Sequence, residues 1–367
     1  MDYKKIIGVL FVFMILGFYH FDVIDKSELT SIFNSLNVDS NNENMFSNIE
    51  TNYNDYELLN SKLEVIFCPS DDCFNIFKNN ILNAKSNVKC AFYELNFMNL
   101  SKVFLELSKN DINVEILVDD AYLEKEGLEF LKNSNIKIFS DKKRGTRYNN
   151  YMHHKFCVID DSVVITGSAN PTNRGFLMND NNIIKIESSK LSKNYNFEFE
   201  QLKSGKFGYN KQSALHYNNL TLNYKDDTYL VNTYFCPQDD CDKEFLNLIG
   251  NAENEILFGV FAITYDELSD LLIEKNNDGV NVKGLIEKRN INLKGSDYYE
   301  LNKSFNFKLD VNKYNMHNKF FVIDENIVIT GSTNPSASGF NYNDENMIVI
   351  ENRDIAMMYK NYFLSIY

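Results

Sequence analysis

The chain is short of positive charge. Its 37 lysines and arginines face 51 aspartates and glutamates, a net charge of −14 over 367 residues. That balance excludes a general nucleic-acid coat protein, which would be basic, although a small positive cleft on an acidic body stays compatible with it. A full-length membrane-crossing run is also missing at the N-terminus. "IIGVLFVFMILGFY", Ile6 to Tyr19, holds fourteen uncharged residues, short of the roughly 20 that cross a bilayer; extension to Ile24 admits only His20 and Asp22. No small-x-small cleavage site follows. Lys4 and Lys5 precede the run, so residues 1–24 read as an uncleaved membrane anchor with the bulk facing outward, or as a signal whose removal would leave a secreted protein. Residues 25–60 form an Asn-rich linker. Disorder is excluded for the rest by 44% apolar residues, with 29 Phe and 22 Tyr.

Cysteines are few and lack the partners of a zinc site. "FCPSDDC" and "FCPQDDC" each set two cysteines five apart in a Pro-containing turn, with no histidine nearby. An outward location makes each pair a local disulfide, Cys68–Cys73 and Cys236–Cys241. Cys90 and Cys157 lie in apolar, strand-like runs and read as buried residues.

What the chain does have is itself, twice. "MHHKFCVIDDSVVITGSAN" from Met152 returns as "MHNKFFVIDENIVITGSTN" from Met316, and the Cys-Pro turns repeat with them. Between these markers the elements match: "VKCAFYEL" and "VEILVDD" in one copy, "EILFGVFAIT" and "VKGLIEK" in the other, each separated by a helical pattern. Alternating strands and helices predict two similar α/β domains with mixed sheets, residues 61–205 and 228–367, joined by a linker over 206–227. Such a duplication is expected to pack as a pseudo-two-fold pair with the two strings face to face.

Each string reads as a β-hairpin. With a two-residue loop at Asp161–Ser162, Lys155 opposes Ser168 and His153 opposes Asn170. In the second copy Lys319 opposes Ser332 and His317 opposes Asn334. Parity sets Asp160 and Asp324 at the turn, as anchors of the hairpin or its neighbour, and sends His154 (counterpart Asn318) to the opposite face. The remaining side chains suit a phosphate: ammonium, hydroxyl and amide groups neutralise its oxygens, and no carboxylate cluster of metal-ligand type accompanies them. One histidine can attack phosphorus while the other protonates the leaving oxygen. Nearby, "KKRGTR" (Lys142 to Arg147) offers a basic rim, and Tyr148, Tyr151 and Tyr314 offer rings at the mouth.

The pattern H-x-K-x4-D-x6-G-S-x-N, complete in both copies, resembles the twin motifs of the phospholipase D superfamily. The resemblance implies two phospholipase D-like domains, each a mixed sheet flanked by helices, sharing one site in a single chain. It implies a catalytic set of His153, Lys155, Asp160, His317, Lys319 and Asp324, with Ser168, Asn170, Ser332 and Asn334 binding or supporting the phosphate. It further implies a covalent phosphohistidine, no metal and no cofactor, and an acidic residue that holds a catalytic histidine. Glu345 in "NDEN" takes that place, whereas "NDNN" puts Asn181 there, so the halves differ. By the family's usual order His153 is expected as nucleophile and His317 as acid. The expected substrate is a phospholipid phosphodiester at the membrane, ahead of a nucleic acid, phosphatidyl transfer, or simple phosphate or partner binding.

Overall fold

The computed structural model describes residues 56–57, 62–142, 150–224 and 227–367. The anchor, the Asn-rich run apart from Tyr56–Glu57, Lys143 to Arg147 of the basic stretch and Tyr148 lie outside them. Among the described residues no helix is long and apolar enough to cross a membrane.

Both copies fold to the same sheet. In the first, β2 (Leu63–Cys68), β3 (Asn87–Phe92), β4 (Asn113–Val118), β5 (Lys137–Ser140), β6 (Lys155–Ile159), β7 (Val163–Gly167) and β8 (Asn181–Glu187) take the order β2-β8-β7-β6-β3-β4-β5. In the second, β10 (Asp227–Cys236), β11 (Glu255–Val260), β12 (Asn281–Ile286), β13 (Asn306–Leu309), β14 (Lys319–Ile323), β15 (Ile327–Gly331) and β16 (Glu345–Glu351) repeat it, with β9 (Leu220–Tyr224) and β1 (Tyr56–Glu57) added at one edge. The pairs within β3–β4–β5 and β11–β12–β13 are parallel, as is the added β1–β9 pair, and the rest are antiparallel. The mixed α/β expectation therefore holds.

The strands that carry the motifs are buried along their whole length, "KFCVI" in β6 and "KFFVI" in β14. Such runs are apolar throughout because both faces are covered. Outside, α1 (Cys73–Leu82) and α2 (Met98–Lys109) pack on the first sheet, while α4 (Cys241–Gly250) and α5 (Asp266–Asn277) pack on the second. Inside, α3 (Ser189–Lys203) and α6 (Arg353–Ile366) join the inner faces of both sheets in one core: Phe156, Val158, Tyr195 and Phe199 cluster with Phe320, Val322, Tyr359 and Phe363. Ser188 and Asn352 cap these two helices by accepting from the third amide on. The connecting segment is part of this packing, since Phe207, Lys211, Ala214, Leu220 and Leu222 are buried.

Two expectations need correction. The hairpins are one residue off the expected register. Cys157 pairs with Ile165 and Ile159 with Val163, and β14–β15 pair likewise. Asp160 and Asp161, like Asp324 and Glu325, sit in the left-handed region with φ of 50–54°. Each pair forms the centre of a tight turn closed by an i to i+3 bond, Ser162 N–H to Ile159 O and Asn326 N–H to Ile323 O. The following residue is then left over as an insertion, and Lys155 lies across from Gly167, not Ser168. The second correction concerns Cys90 and Cys157. Both are fully buried, as expected, but they are bonded to each other, because the β3–β6 register makes them direct partners. Cys68–Cys73 and Cys236–Cys241 also close, so all six cysteines are paired. At the positions matching Cys90 and Cys157, the second half stacks Phe258 on Phe321 with centroids 4.8 Å apart.

Cys90–Cys157 bridges 67 residues, whereas the turn disulfides bridge 5. Loop-closure entropy scales with that length, so Cys90→Ala/Cys157→Ala is expected to cost about 2–4 kcal/mol in urea unfolding. Cys68→Ala/Cys73→Ala is expected to cost less; the reverse ranking would contradict the chain-entropy account.

Candidate active site

The ends of β6, β7 and β8 meet the matching ends of β14, β15 and β16 through two isolated bridges, Met152 with Asp344 and Asp180 with Met316. These bridges hold the histidine backbones: His153 N–H donates to Asp344 O at 2.9 Å, and His317 N–H donates to Asp180 O at 2.8 Å. Each histidine is thus fixed by the opposite half.

The side chains follow the same exchange. His153 Nδ1 lies 2.7 Å from Glu345 Oε1 and 2.8 Å from Oε2. His317 Nδ1 faces Asn181 Oδ1 at 2.9 Å and Ser168 O at 3.1 Å. Both partners are acceptors, one a backbone carbonyl and the other the Asn181 carbonyl oxygen, since Asn181 Nδ2 donates to Gly175 O. His317 therefore carries its proton on Nδ1, and Nε2 is left for chemistry.

Lys155 and Lys319 are buried, and each donates to the carbonyl of the histidine two residues before it, at 2.6 Å. Tyr93 lies beneath Lys155 and against His153, with centroid distances of 5.4 and 4.7 Å. Phe261 does the same for Lys319 and His317, at 5.3 and 4.9 Å. Burial, then the neighbouring lysines, pushes both histidines well below the ordinary imidazole range. Burial likewise lowers Lys155 to about 7 and Lys319 well below its usual value. It raises Glu345 to about 7. His153 and Glu345 form a tightly coupled pair, which we read as sharing one proton between Nδ1 and the carboxylate. Two ammoniums with so little compensating charge form a site short of an anion.

The serines do not line this face as the expected register would have it. Ser168 Oγ donates to Asn181 Oδ1 at 2.9 Å and accepts from Asn182 N–H at 3.0 Å. Ser332 Oγ accepts from Asn346 N–H in the same way. They brace the residues that hold the histidines. Gly167, at φ +146°, makes this possible: a Cβ there would meet the Asn182 carbonyl oxygen at 2.2 Å. Asn170 Oδ1 and Asn334 Oδ1 are buried without a hydrogen-bond partner, so each amide carries an unused acceptor. Asp160 and Asp324 turn away from the chemistry. Asp160 accepts from the backbone of Lys85, Ser86 and Asn87, and Asp324 from that of Glu253, Asn254 and Glu255, at 2.7–3.1 Å. His154 packs behind the site, 3.0 Å from Glu198.

Sequence reasoning missed Tyr93 and Phe261, along with Asp119 and Glu287, whose carboxylates accept from Met152 and Met316 N–H at 3.1 and 2.8 Å. The signal was present, for each pair sits at the 168-residue offset of the Cys-Pro turns. Of the mouth residues, Tyr151 is partly exposed and lies 5.5 Å from Tyr93, whereas Tyr314 holds Arg289 through its carbonyl. Lys142 is exposed. Among the described residues one acidic trio, Asp119, Asp120 and Asp141, brings its oxygens within 4.8 Å; Asp119 and Asp141 spend theirs on backbone amides.

Two histidine–lysine pairs around one anion-poor pocket, on paired mixed sheets, define a phosphodiesterase of phospholipase D type. The family described as "Cardiolipin synthase, PLD-like domain" matches residues 77–203 and 245–367, more than half of the chain, and the chain belongs to it. It is 29% identical to the mitochondrial cardiolipin hydrolase of Xenopus laevis over 39% of this chain and 68% of that one. It is 34% identical to a phospholipase D of Rickettsia prowazekii over 40% and 74%. The chain thus spans about two thirds to three quarters of these relatives' length. A phosphatidylserine synthase structure from Haemophilus influenzae shares the fold, with a TM-score of 0.57 at 12% identity over 82% of this chain and 84% of that one.

The aspartate contacts predict a separation of roles. Backbone amides hold Asp160 below the ordinary carboxyl range despite the opposing effect of its partial burial. A depressed folded pKa contributes stability above the unfolded value of about 3.9, lost as pH falls through the folded value. Asp160→Ala is expected to lower unfolding free energy by about 1–3 kcal/mol and to leave the folded protein active, whereas Lys155→Ala abolishes activity. Equal loss of turnover in both, measured on folded protein, would contradict a strut role for Asp160.

Proposed function

We propose that the protein hydrolyses a phospholipid phosphodiester through a covalent phosphohistidine on His153, without a metal. The observation that carries this reading is the unequal pairing of the histidines, a carboxylate on His153 and a neutral amide on His317. With its Nδ1 proton directed to Glu345, His153 has a free Nε2 lone pair, and the carboxylate stabilises the imidazolium that forms on attack. His153 Nε2 forms the P–N bond as the ester P–O bond breaks. His317, which gains a proton on Nε2 once the phosphate's negative charge enters, gives it to the departing oxygen. Water then attacks phosphorus, His317 takes a proton from it, and the P–N electrons return to His153. Lys155 and Lys319, with the amides of Asn170 and Asn334, hold the phosphate oxygens.

The net charge of −14 and the lipid substrates named for the relatives favour a phospholipid over a polyanion. Six paired cysteines suit an oxidising compartment. With the apolar N-terminal run, they favour an outward-facing protein held at the membrane, or a secreted one.

Rapid quench with radiolabelled phospholipid in EDTA, followed by mapping of the phosphorylated residue, is expected to find label on His153 and none in His153→Ala. Label on His317 would reverse the roles; cleavage of single-stranded DNA without lipid turnover would replace the substrate; loss of activity in EDTA would defeat the metal-free step. A pH dependence follows from Lys155. In the free protein its ammonium is lost as pH rises through about 7, so kcat/KM is expected to fall there. A bound phosphate anion raises that pKa, so the alkaline limb of kcat lies at higher pH. A kcat/KM that stays level through the alkaline range would exclude this role for Lys155.

A further inference from the structure

The segment joining the repeats reaches back into the site it appears only to connect. Lys211 is buried, and its ammonium contacts Asp344 Oδ1 at 2.8 Å and Glu198 Oε1. Gly208 N–H donates to the same Asp344 oxygen at 2.8 Å, and Lys211 N–H donates to Gly208 O. Asp344 is the residue whose carbonyl receives His153 N–H and whose N–H donates to Tyr151 O. Its chain neighbour Glu345 holds His153 Nδ1. Glu198 is shared further, with His154 Nε2 at 3.0 Å and Gln238 Nε2 at 2.9 Å. Although burial opposes it, Lys211 and His154 hold Glu198 below its ordinary range.

Among the described residues the second half has no such ion cluster at the matching place. Asp180, which holds His317, accepts from the neutral Asn312 amide at 2.7 Å. Asn318 stands where His154 does and donates to the Tyr362 hydroxyl, which stands where Glu198 does. The charged strap therefore serves only the histidine that carries a carboxylate.

We propose that Lys211 is a positioning residue for the His153–Glu345 pair, acting by fixing Asp344 and by supplying a buried positive charge behind Glu345. This rests on His153 being the nucleophile. The pair faces Lys155, Lys319 and His154 directly; Asp119 faces Lys155, and Glu198, Asp344 and Asp239 surround Lys211. Removing the Lys211 charge leaves buried carboxylates uncompensated, which favours protonation of the pair.

The test is an NMR titration of the full chain labelled with [15N]histidine, the His153 signal being assigned by its loss in His153→Gln. Lys211→Met is expected to raise the His153–Glu345 titration by about one pH unit, Lys211→Arg to restore it, and Asp344→Asn to lower it. Phe207→Leu, a packing change in the same strap, is expected to leave it unmoved. Turnover of Lys211→Met is expected to fall about tenfold with KM nearly unchanged. An unmoved titration in Lys211→Met, or an equal shift in Phe207→Leu, would overturn the proposal. If Lys211→Met does not fold, Asp344→Asn decides, and no downward shift overturns it. The titration needs no substrate, so a wrong substrate class would show as absent turnover beside intact shifts.

Discussion

The structure depends on an exchange. His153 and His317 each take the partner of their backbone N–H and a partner of Nδ1 from the dipeptide opening the last strand of the other half. Asp344–Glu345 serves His153 and Asp180–Asn181 serves His317. The joint core of Phe156, Tyr195, Phe320 and Tyr359 is the apolar counterpart of this exchange. It keeps the two sheets in the one arrangement that lets the bridges form, with aromatic burial on the order of 2–3 kcal/mol per ring.

Burial gives the site its chemistry as well as its shape. Two lysines kept from water are poor hosts for their own charge, and the arrangement offers them carbonyls and aromatic faces, with Glu345 and, for Lys155, Asp119 as the facing carboxylates. A phosphate supplies what is lacking. The same dryness couples Glu345 to His153, while His317 faces a neutral amide and a backbone carbonyl.

Much of this was legible in the sequence. The alternation of strands and helices was enough for the two mixed sheets, and the motif strings named the histidines and lysines that the structure brings together, with the aspartates as struts. The register was missed because the loop rule took Asp160 as a strand residue. Three backbone amides from the β3 approach draw Asp160 out of the ladder instead. Cys90 and Cys157 are 67 residues apart, and nothing in either strand says they are opposite. Glu345 was recognised as a histidine's partner, but its reach to the other half follows from how the halves dock, which local pattern does not encode.

The Cys90–Cys157 bond and the Phe258–Phe321 stack occupy the same place behind the two lysines. A duplicated chain carries its own comparison: two copies of one pattern, side by side in one molecule. At the histidine, lysine, serine and asparagine positions of the two strings the copies agree, residue for residue. One layer behind, a covalent bond and a pair of phenyl rings have proved interchangeable, so what that layer must supply is a filled, stiff backing and not any particular chemistry.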